Sequence, residues 1–185
     1  MHGIKPSPGP GSVNGRHDVP ADEIHRQMTA LLPDLRAFAR FLTRDPTSAD
    51  DLVQDTVVRA LAAQASFQPG TNLKAWLFTI ERNAFYEQAR RRRREKQVLS
   101  EQMHGIEAQA PEVHGRSDLS DLARMLWTLP PLLREALVLV GAQELTHEEA
   151  AAICGVPIGT MKARVSRARG QLARTMTENG SGPAG

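Results

Sequence analysis

With 185 residues, the chain is long enough for one large domain or two small ones. Aromatic residues make up only 4% of the sequence and strand-like apolar runs are few, which favours an all-helical fold over a sheet. The net charge of +2 says little about partners, while the single cysteine excludes an intramolecular disulfide and no apolar stretch approaches the length of a membrane span.

The amino-terminal part predicts a tail followed by two helices. Residues 1–20 are rich in Gly, Pro and Ser without apolar periodicity, so we predict a disordered tail. A helix is predicted over Ala21–Thr43, with a kink or a division into two short helices at Pro33. Ser48 is predicted to cap a second helix over Ala49–Gln64. The inner face predicted for that second helix comprises Leu52, Val53, Thr56, Val57, Ala60 and Leu61.

A loop and a long arginine-rich helix come next. The loop is predicted over Ala65–Asn72 and the helix from Leu73 to about Lys96, with Trp76 more typical of a core residue than of a stacking platform. Five consecutive arginines, Arg90–Arg94, repel one another on a helix, and such a run usually signals a polyanionic partner. A solvated arginine run is the alternative. The apolar side of the helix is predicted to comprise Leu73, Trp76, Leu77, Ile80 and Ala84.

The carboxyl-terminal part predicts a second cluster of helices. The first helix of this cluster is predicted to end at Pro130-Pro131. Its stripe comprises Leu119, Leu122, Leu126 and Leu129. The stripe of the following helix comprises Leu133, Ala136, Leu137 and Val140.

A helix-turn-helix is predicted to close this cluster, with helices over Thr146–Ile153 and Thr160–Ala173. Thr146 and Glu149 have the spacing of a capping box, which marks the start of the first helix. Gly155 permits the sharp turn between the helices. Cys154, just before this glycine, is interpreted as a small buried apolar residue.

The second helix of this pair is predicted to present a DNA-reading face. Thr160 is predicted to cap it, and no carboxylate occurs between Glu149 and Glu178. Its predicted buried stripe comprises Met161, Val165, Ala168 and Leu172. The opposite side comprises Lys162, Ala163, Ser166, Arg167 and Gly170, flanked by Arg164 and Arg169. Small residues and cations on one exposed face suit close approach to a DNA major groove, although a solvated basic helix is the alternative.

These features, in this order, resemble a compact bacterial sigma factor of the extracytoplasmic-function (ECF) group. The resemblance covers about Asp22 to Arg174. Its most diagnostic segments are SADDLVQDTVVRAL (Ser48–Leu61), GTNLKAWLFTIERNAFYEQARRR (Gly70–Arg92) and the helix-turn-helix. The segments REALVLVGA (Arg134–Ala142) and EEAAAICG (Glu148–Gly155) are most similar to the general-stress subgroup called EcfG.

The resemblance implies an all-α fold of two small helical domains. These are a region 2 domain at residues 21–96 and a region 4 domain at residues 118–176. A flexible linker at residues 97–117 would join them, and residues 177–185 would form a disordered tail. The implied function is that of an alternative sigma factor, which binds core RNA polymerase and directs promoter recognition in a general stress response.

The resemblance also assigns roles to individual residues. The residues matched to core-polymerase contacts are Asp51, Gln54 and Asp55. Those assigned to the −10 promoter element are Phe67, Asn72, Arg82, Asn83, Arg90 and Arg91. Residues matched to −35 contacts are Lys162, Ala163, Ser166 and Arg167, and the flanking Thr160, Arg164 and Arg169 are assigned to the same surface.

The implied partners are core RNA polymerase, promoter DNA and an anti-sigma factor of the NepR type lying between the two domains. No cofactor, metal, membrane or small-molecule substrate is expected, and the expected location is the cytoplasm. We expect no enzymatic activity because the sequence has no metal-ligand cluster and no phosphate-binding glycine motif.

Two other functions are compatible with parts of the sequence. A stand-alone helix-turn-helix regulator would account for the last two helices, but such proteins usually dimerise and no dimerisation helix is evident. A nucleic-acid-processing enzyme could use Asp51 and Asp55, which lie four residues apart and could together hold a metal ion. No third ligand can be named for such a site.

Overall fold

The computed structural model describes residues 21–102 and 121–180, and every regular element in these ranges is helical. A short 3-10 turn at Gln64–Ser66 and a π-helical turn at Val138–Ala142 supplement the α-helices. The α-helices are α1 (Ala21–Thr43), α2 (Pro46–Ala62), α3 (Leu73–Gln102), α4 (Asp121–Thr128), α5 (Pro131–Leu137), α6 (His147–Cys154) and α7 (Ile158–Gly180). The predicted all-α fold class is confirmed.

Helix α1 has the predicted bounds and runs through Pro33 as one helix, so the predicted division into two short helices is wrong. The predicted cap of the next helix is also wrong. Asp45, not Ser48, is the N-cap, and its carboxylate accepts a 2.7 Å hydrogen bond from the Ser48 amide. Pro46 follows at the first helical position, where its fixed φ favours a helix and its missing N–H costs nothing. Helix α2 therefore begins three residues earlier than predicted.

The core of the N-terminal helices lies where α1, α2 and α3 pack together. Phe38 and Phe78 are completely buried, and their rings stack with centroids 4.8 Å apart. The inner face of α2 agrees with the prediction at Leu52, Val53, Thr56 and Ala60, which are all buried. Leu61 does not belong to this face: its side chain is 45% exposed.

Helix α3 ends at Gln102, beyond the predicted end at Lys96. Residues 97–102, the start of the predicted linker, are part of this helix, and a helical start is compatible with that prediction. Good helix formers continue past the arginine run, and a pair at i, i+4, Arg91 and Glu95, supports this part of the helix (Nε to Oε1, 3.5 Å). The rest of the predicted linker and the tail at 1–20 lie outside the described residues.

The C-terminal helices pack mainly against α7, which contacts α5 and α6. Pro131 stands in the first turn of α5, so the predicted break at Pro130-Pro131 is confirmed. The predicted stripe of this helix is only partly correct. Ala136 is buried, whereas the π-helical turn shifts the register so that Val138 and Leu139 also enter the core.

The helix-turn-helix forms as predicted in its first half. Thr146 and Glu149 make the reciprocal capping box at the start of α6. Gly155 adopts the left-handed conformation with φ 65°. The amides of Gly155 and Val156 donate to the carbonyls of Ala152 and Ala151, which completes a Schellman motif.

The second half of the motif differs from the prediction at both ends. The Pro157 carbonyl accepts the first intrahelical hydrogen bond, from the Met161 amide at 3.1 Å, so α7 begins at Ile158 and Thr160 is not its cap. The helix continues to Gly180, beyond the predicted end at Ala173. Residues 177–180 of the predicted tail are therefore helical, and residues 181–185 lie outside the described residues.

The two groups of helices, α1–α3 and α4–α7, touch each other. Helix α3 packs along α6, and side chains from both groups form hydrogen bonds and ring contacts across this boundary. In the described part of the chain, no helix has the length and apolarity needed to cross a membrane.

Candidate nucleic-acid interface

The outward face of α7 is a continuous strip of small and cationic side chains. Met161, Val165 and Ala168 anchor the helix because their side chains are buried against the other C-terminal helices. The predicted DNA-reading residues lie on the sides of α7 that face away from this buried stripe. Lys162, Ser166, Arg167 and Arg169 are exposed, and Thr160, Ala163 and Arg164 are half-buried.

The exposed cations of this face form no salt bridge with a carboxylate of the described residues. Lys162, Arg167 and Arg169 form no salt bridge with any residue in the described ranges. Free guanidinium and ammonium groups beside small side chains can reach guanine edges and phosphates. The face is therefore open to a polyanion without rearrangement.

The arginine run on α3 is a second exposed basic surface. Arg90–Arg94 all face solvent, as does the neighbouring Asn83. Arg91 shares its charge with Glu95, and the other four guanidiniums form no salt bridge with described residues. This surface suits contact with phosphates, which carry most of the electrostatic free energy of nucleic-acid binding.

Arg82 was predicted to contact the −10 element, but here its guanidinium is not free. Its Nε and Nη2 donate to Glu135 Oε1 and Oε2 at 2.8 and 3.3 Å, and the guanidinium also lies over the Tyr86 ring. The two charged side chains are only 16% and 4% exposed. The bidentate pair ties α3 to α5.

Asn72 is engaged in a similar way. Its Oδ1 accepts hydrogen bonds from the amides of Lys74 and Ala75, so it caps α3. Its Nδ2 donates to Glu149 Oε1 at 2.6 Å. Hydrogen bonds from Thr146 and Asn72 lower the pKa of Glu149, although burial opposes them.

Phe67 leans on Trp76 with ring centroids 5.3 Å apart and an interplanar angle of 55°. Both rings are half-buried and pack against the core. The prediction that Trp76 is a core residue is only partly confirmed, because its half-buried ring packs against the core without being buried within it. Phe67, predicted to form the wall of a base pocket, lies at the edge of the same core in this conformation.

The exposed face of α2 holds the residues predicted to bind core polymerase. Asp51 and Gln54 face solvent, whereas Asp55 accepts hydrogen bonds from Arg59 and Gln88 at 3.0 and 3.2 Å. Helical spacing places the exposed Val58 and Leu61 on the same face. Sequence reasoning missed this apolar part because Leu61 had been assigned to the core.

The carboxylates of α2 do not form a metal centre. Asp55 is occupied by its two hydrogen-bond donors, and no group of three or more potential metal-ligating side chains occurs within residues 21–102 and 121–180. A third ligand beside Asp51 and Asp55 is therefore missing from the described residues.

Comparison with known proteins matches both groups of helices. The model of sigma-70 region 2 matches residues 28–95, and the model of sigma-70 region 4 matches residues 119–172. The ECF RNA polymerase sigma factor EcfG of Rhodopseudomonas palustris is 44% identical over 86% of this chain and 88% of its own length. The chain belongs to the extracytoplasmic-function sigma factors. It is accordingly an alternative sigma factor, a subunit that directs transcription initiation by RNA polymerase.

Solved structures of sigma factors have the same fold. The sigma factor RpoE of Bartonella quintana, in complex with the anti-sigma factor NepR, is 46% identical and gives a TM-score of 0.69, with 84% of this chain and 98% of that chain covered. CnrH in complex with the cytosolic domain of CnrY is 27% identical, with a TM-score of 0.61 and coverage of 85% and 89%.

Charged side chains of this sigma factor lie in its interior without having been predicted there, among them Glu81 and Glu135. Glu81 is completely buried, neither carboxylate oxygen has a hydrogen-bond partner, and burial raises its pKa to about 9. Glu135 is buried beside Arg82. Glu81 follows the buried Leu77 and Phe78 at helical spacing, and that periodicity is the signal that could have revealed it.

Proposed function

We propose that this ECF sigma factor binds core RNA polymerase through α2 and reads two promoter elements through α3 and α7. In this proposal residues 21–96 act as the region 2 domain and residues 118–176 as the region 4 domain. The observation that carries the proposal is the outward face of α7, where small side chains and unpaired cations form a strip above a buried apolar stripe. In this proposal the protein acts in the cytoplasm as a non-catalytic initiation factor.

The −35 element is assigned to Lys162, Ala163, Ser166 and Arg167. Thr160, Arg164 and Arg169 flank these positions. Arginine and lysine on such a face bind guanine edges, while alanine and serine allow the helix backbone to approach the bases closely. Sequence preference therefore arises mainly from this helix.

The −10 element is assigned to α3 and the loop before it. The residues involved are Phe67, Asn72, Arg82, Asn83, Arg90 and Arg91. The exposed arginines bind phosphates, and the aromatic and amide side chains provide the wall and the polar edge that an unstacked base requires.

Core polymerase is assigned to the exposed face of α2. Asp51 and Gln54 provide polar contacts. The exposed Val58 and Leu61, further along the same face, provide an apolar area. Acidic side chains beside exposed apolar ones suit a partner surface that carries arginines.

Run-off transcription with purified core polymerase and a promoter library tests this proposal. We expect specific transcripts only when the chain is added, and the enriched templates should share two separated elements. Asp51→Arg should abolish this activity by charge reversal, whereas Asp22→Arg, at an exposed aspartate of α1 that forms no salt bridge with described residues, is the matched control. Tight, sequence-specific DNA binding by the chain without core polymerase would instead favour a stand-alone regulator.

We also propose regulation by an anti-sigma factor of the NepR type within a general stress response. The similarity to EcfG and to RpoE, which was solved in complex with NepR, supports this assignment. Because α2 can serve one partner at a time, the anti-sigma factor and core polymerase should compete. A stable ternary complex in a competition assay would refute this mechanism.

A further inference from the structure

Two glutamates of the C-terminal helices hold two side chains assigned to the −10 element. Glu135 binds the Arg82 guanidinium through both carboxylate oxygens, and Glu149 accepts from the Asn72 amide at 2.6 Å. Carboxylates are the natural competitors of phosphates and base acceptors for such donors. In this conformation carboxylates of the C-terminal helices therefore occupy the donors of Arg82 and Asn72.

The Arg82–Glu135 pair is shielded from solvent. Cys154 of α6 is buried near this pair, so the Glu135 charge acts on its thiol. Burial is the main cause that raises the pKa of this thiol to about 12. An ion pair between two mostly buried side chains is weakened little by salt, so this contact can persist under physiological conditions.

A separate ring contact joins the N-terminal and C-terminal helices at another place. Trp127 of α4 stacks on Phe41 of α1, with centroids 5.7 Å apart and an interplanar angle of 23°. The guanidinium of Arg44 lies 3.7 Å from the centre of the Trp127 ring. Trp127 thus reports whether the two groups of helices are in contact.

We propose that the free sigma factor inhibits itself: Glu135 and Glu149 occupy Arg82 and Asn72 and block single-stranded DNA until the two groups of helices separate. This rests on the proposed function, because it takes Arg82 and Asn72 as DNA-binding residues. Core polymerase would release the block by holding the two groups apart. Inhibition by the chain's own carboxylates requires no anti-sigma factor.

The test compares two double variants that change the net charge equally. The opening variant is Glu135→Gln with Glu149→Gln, in which glutamine can still serve the capping box of α6. The control is Glu144→Gln with Glu148→Gln, since both of these glutamates are exposed and neither forms a salt bridge or a side-chain hydrogen bond with the described N-terminal helices. Any general gain in DNA affinity from lost negative charge is therefore the same in both variants.

Two measurements are made on each full-length variant in a Trp76→Phe background, which leaves Trp127 as the only tryptophan. The first is the emission maximum of Trp127 and its quenching by acrylamide. The second is the affinity for a fluorescent single-stranded DNA that carries the −10 element selected in the run-off experiment. Glu149→Gln alone provides a milder variant if the double variant folds poorly by circular dichroism.

We expect the opening variant to show red-shifted, more quenchable emission and about tenfold tighter single-stranded DNA binding than the control, as for a closed form favoured about ten to one. Tighter binding without the spectral change, or the spectral change without tighter binding, would overturn the proposal. Equal behaviour of both variants would do so as well. Failure of the wild-type chain in run-off transcription would instead count against the proposed function, whatever the spectra show.

Discussion

The side chains assigned to DNA on α7 and those at and after the start of α3 differ in what surrounds them. On α7, Lys162 and Arg167 are exposed and form no salt bridge with described residues. On α3, Arg82 is mostly buried against Glu135, and Asn72 is bound by Glu149. The proposed −35 surface is therefore exposed at Lys162 and Arg167, whereas the proposed −10 surface combines the exposed Arg90 and Arg91 with the engaged Arg82 and Asn72.

The interiors of the two groups differ as well. Large side chains fill the core of α1–α3, among them Phe38 and Phe78, and the unpaired Glu81 lies within it. The core of α4–α7 combines small side chains, such as Ala136 and Ala150, with the larger Leu139 and Met161. It also buries Glu135, but Glu135 pairs with Arg82, whereas Glu81 has no hydrogen-bond partner among the described residues. The stability of the N-terminal group should therefore depend more on pH.

The largest expected difference concerns Glu81. Its folded-state pKa of about 9 lies above the ordinary value of 4.5, so this residue favours folding fully below pH 4.5 and loses that contribution as the pH rises to about 9. At pH 7, keeping Glu81 protonated in the folded state costs about 3 kcal/mol relative to the ionised carboxyl of the unfolded chain. Glu81→Gln should therefore remove a pH dependence of up to about 1.4 kcal/mol per pH unit in the unfolding free energy.

Denaturant unfolding of wild type and variant between pH 5 and pH 9 measures this effect. The exposed Glu95→Gln on the same helix is the matched control. A constant difference between wild type and Glu81→Gln across this range would show that Glu81 is not buried in its neutral form.

The next largest effect concerns base recognition by the −35 surface of α7. Arg167→Ala should cost roughly 1–3 kcal/mol of discrimination at one −35 position, because an arginine bound to a base edge is lost. Arg40→Ala, an exposed arginine on α1, is the matched control. Run-off assays on promoters with single −35 substitutions provide the measurement, and an unchanged preference would exclude a base contact by Arg167.

A smaller effect compares the helix caps of the two groups. Thr146→Ala removes the capping box of α6, and Asp45→Ala removes the cap of α2. Each should lower the unfolding free energy by about 1 kcal/mol. Thermal unfolding checks both variants, with Thr47→Ala, an exposed position in the first turn of α2, as the control. A loss below a few tenths of a kcal/mol would mean that another group takes over the cap.

The smallest effect concerns the arginine run. Neutralising Arg92 should weaken DNA binding for all sequences and reduce the slope of log affinity against log salt by about 0.7 to 0.9, as expected for one lost phosphate contact. Promoter DNA binding by the holoenzyme at several salt concentrations measures that slope. A change of sequence preference would contradict the assignment of this run to phosphates.

Much of the helical framework follows from the sequence because its signals are local. The bounds of α1, the capping box at Thr146 and Glu149, and the buried stripe at Met161 and Val165 all depend on residues within a few turns of one another. The errors at helix ends are local as well. Two good capping residues competed before α2, and Pro46 at the first helical position decided in favour of Asp45.

Only the tertiary structure decides which DNA-binding side chains are free. The partners Arg82 and Glu135 are 53 residues apart in the sequence, and Asn72 and Glu149 are 77 residues apart. Helical periodicity places each side chain on a face of its own helix but does not state which other helix will cover that face. The basic strip of α7 could be predicted because Lys162 and Arg167 are exposed, whereas the occupied state of Arg82 and Asn72 arises from contacts between helices distant in sequence.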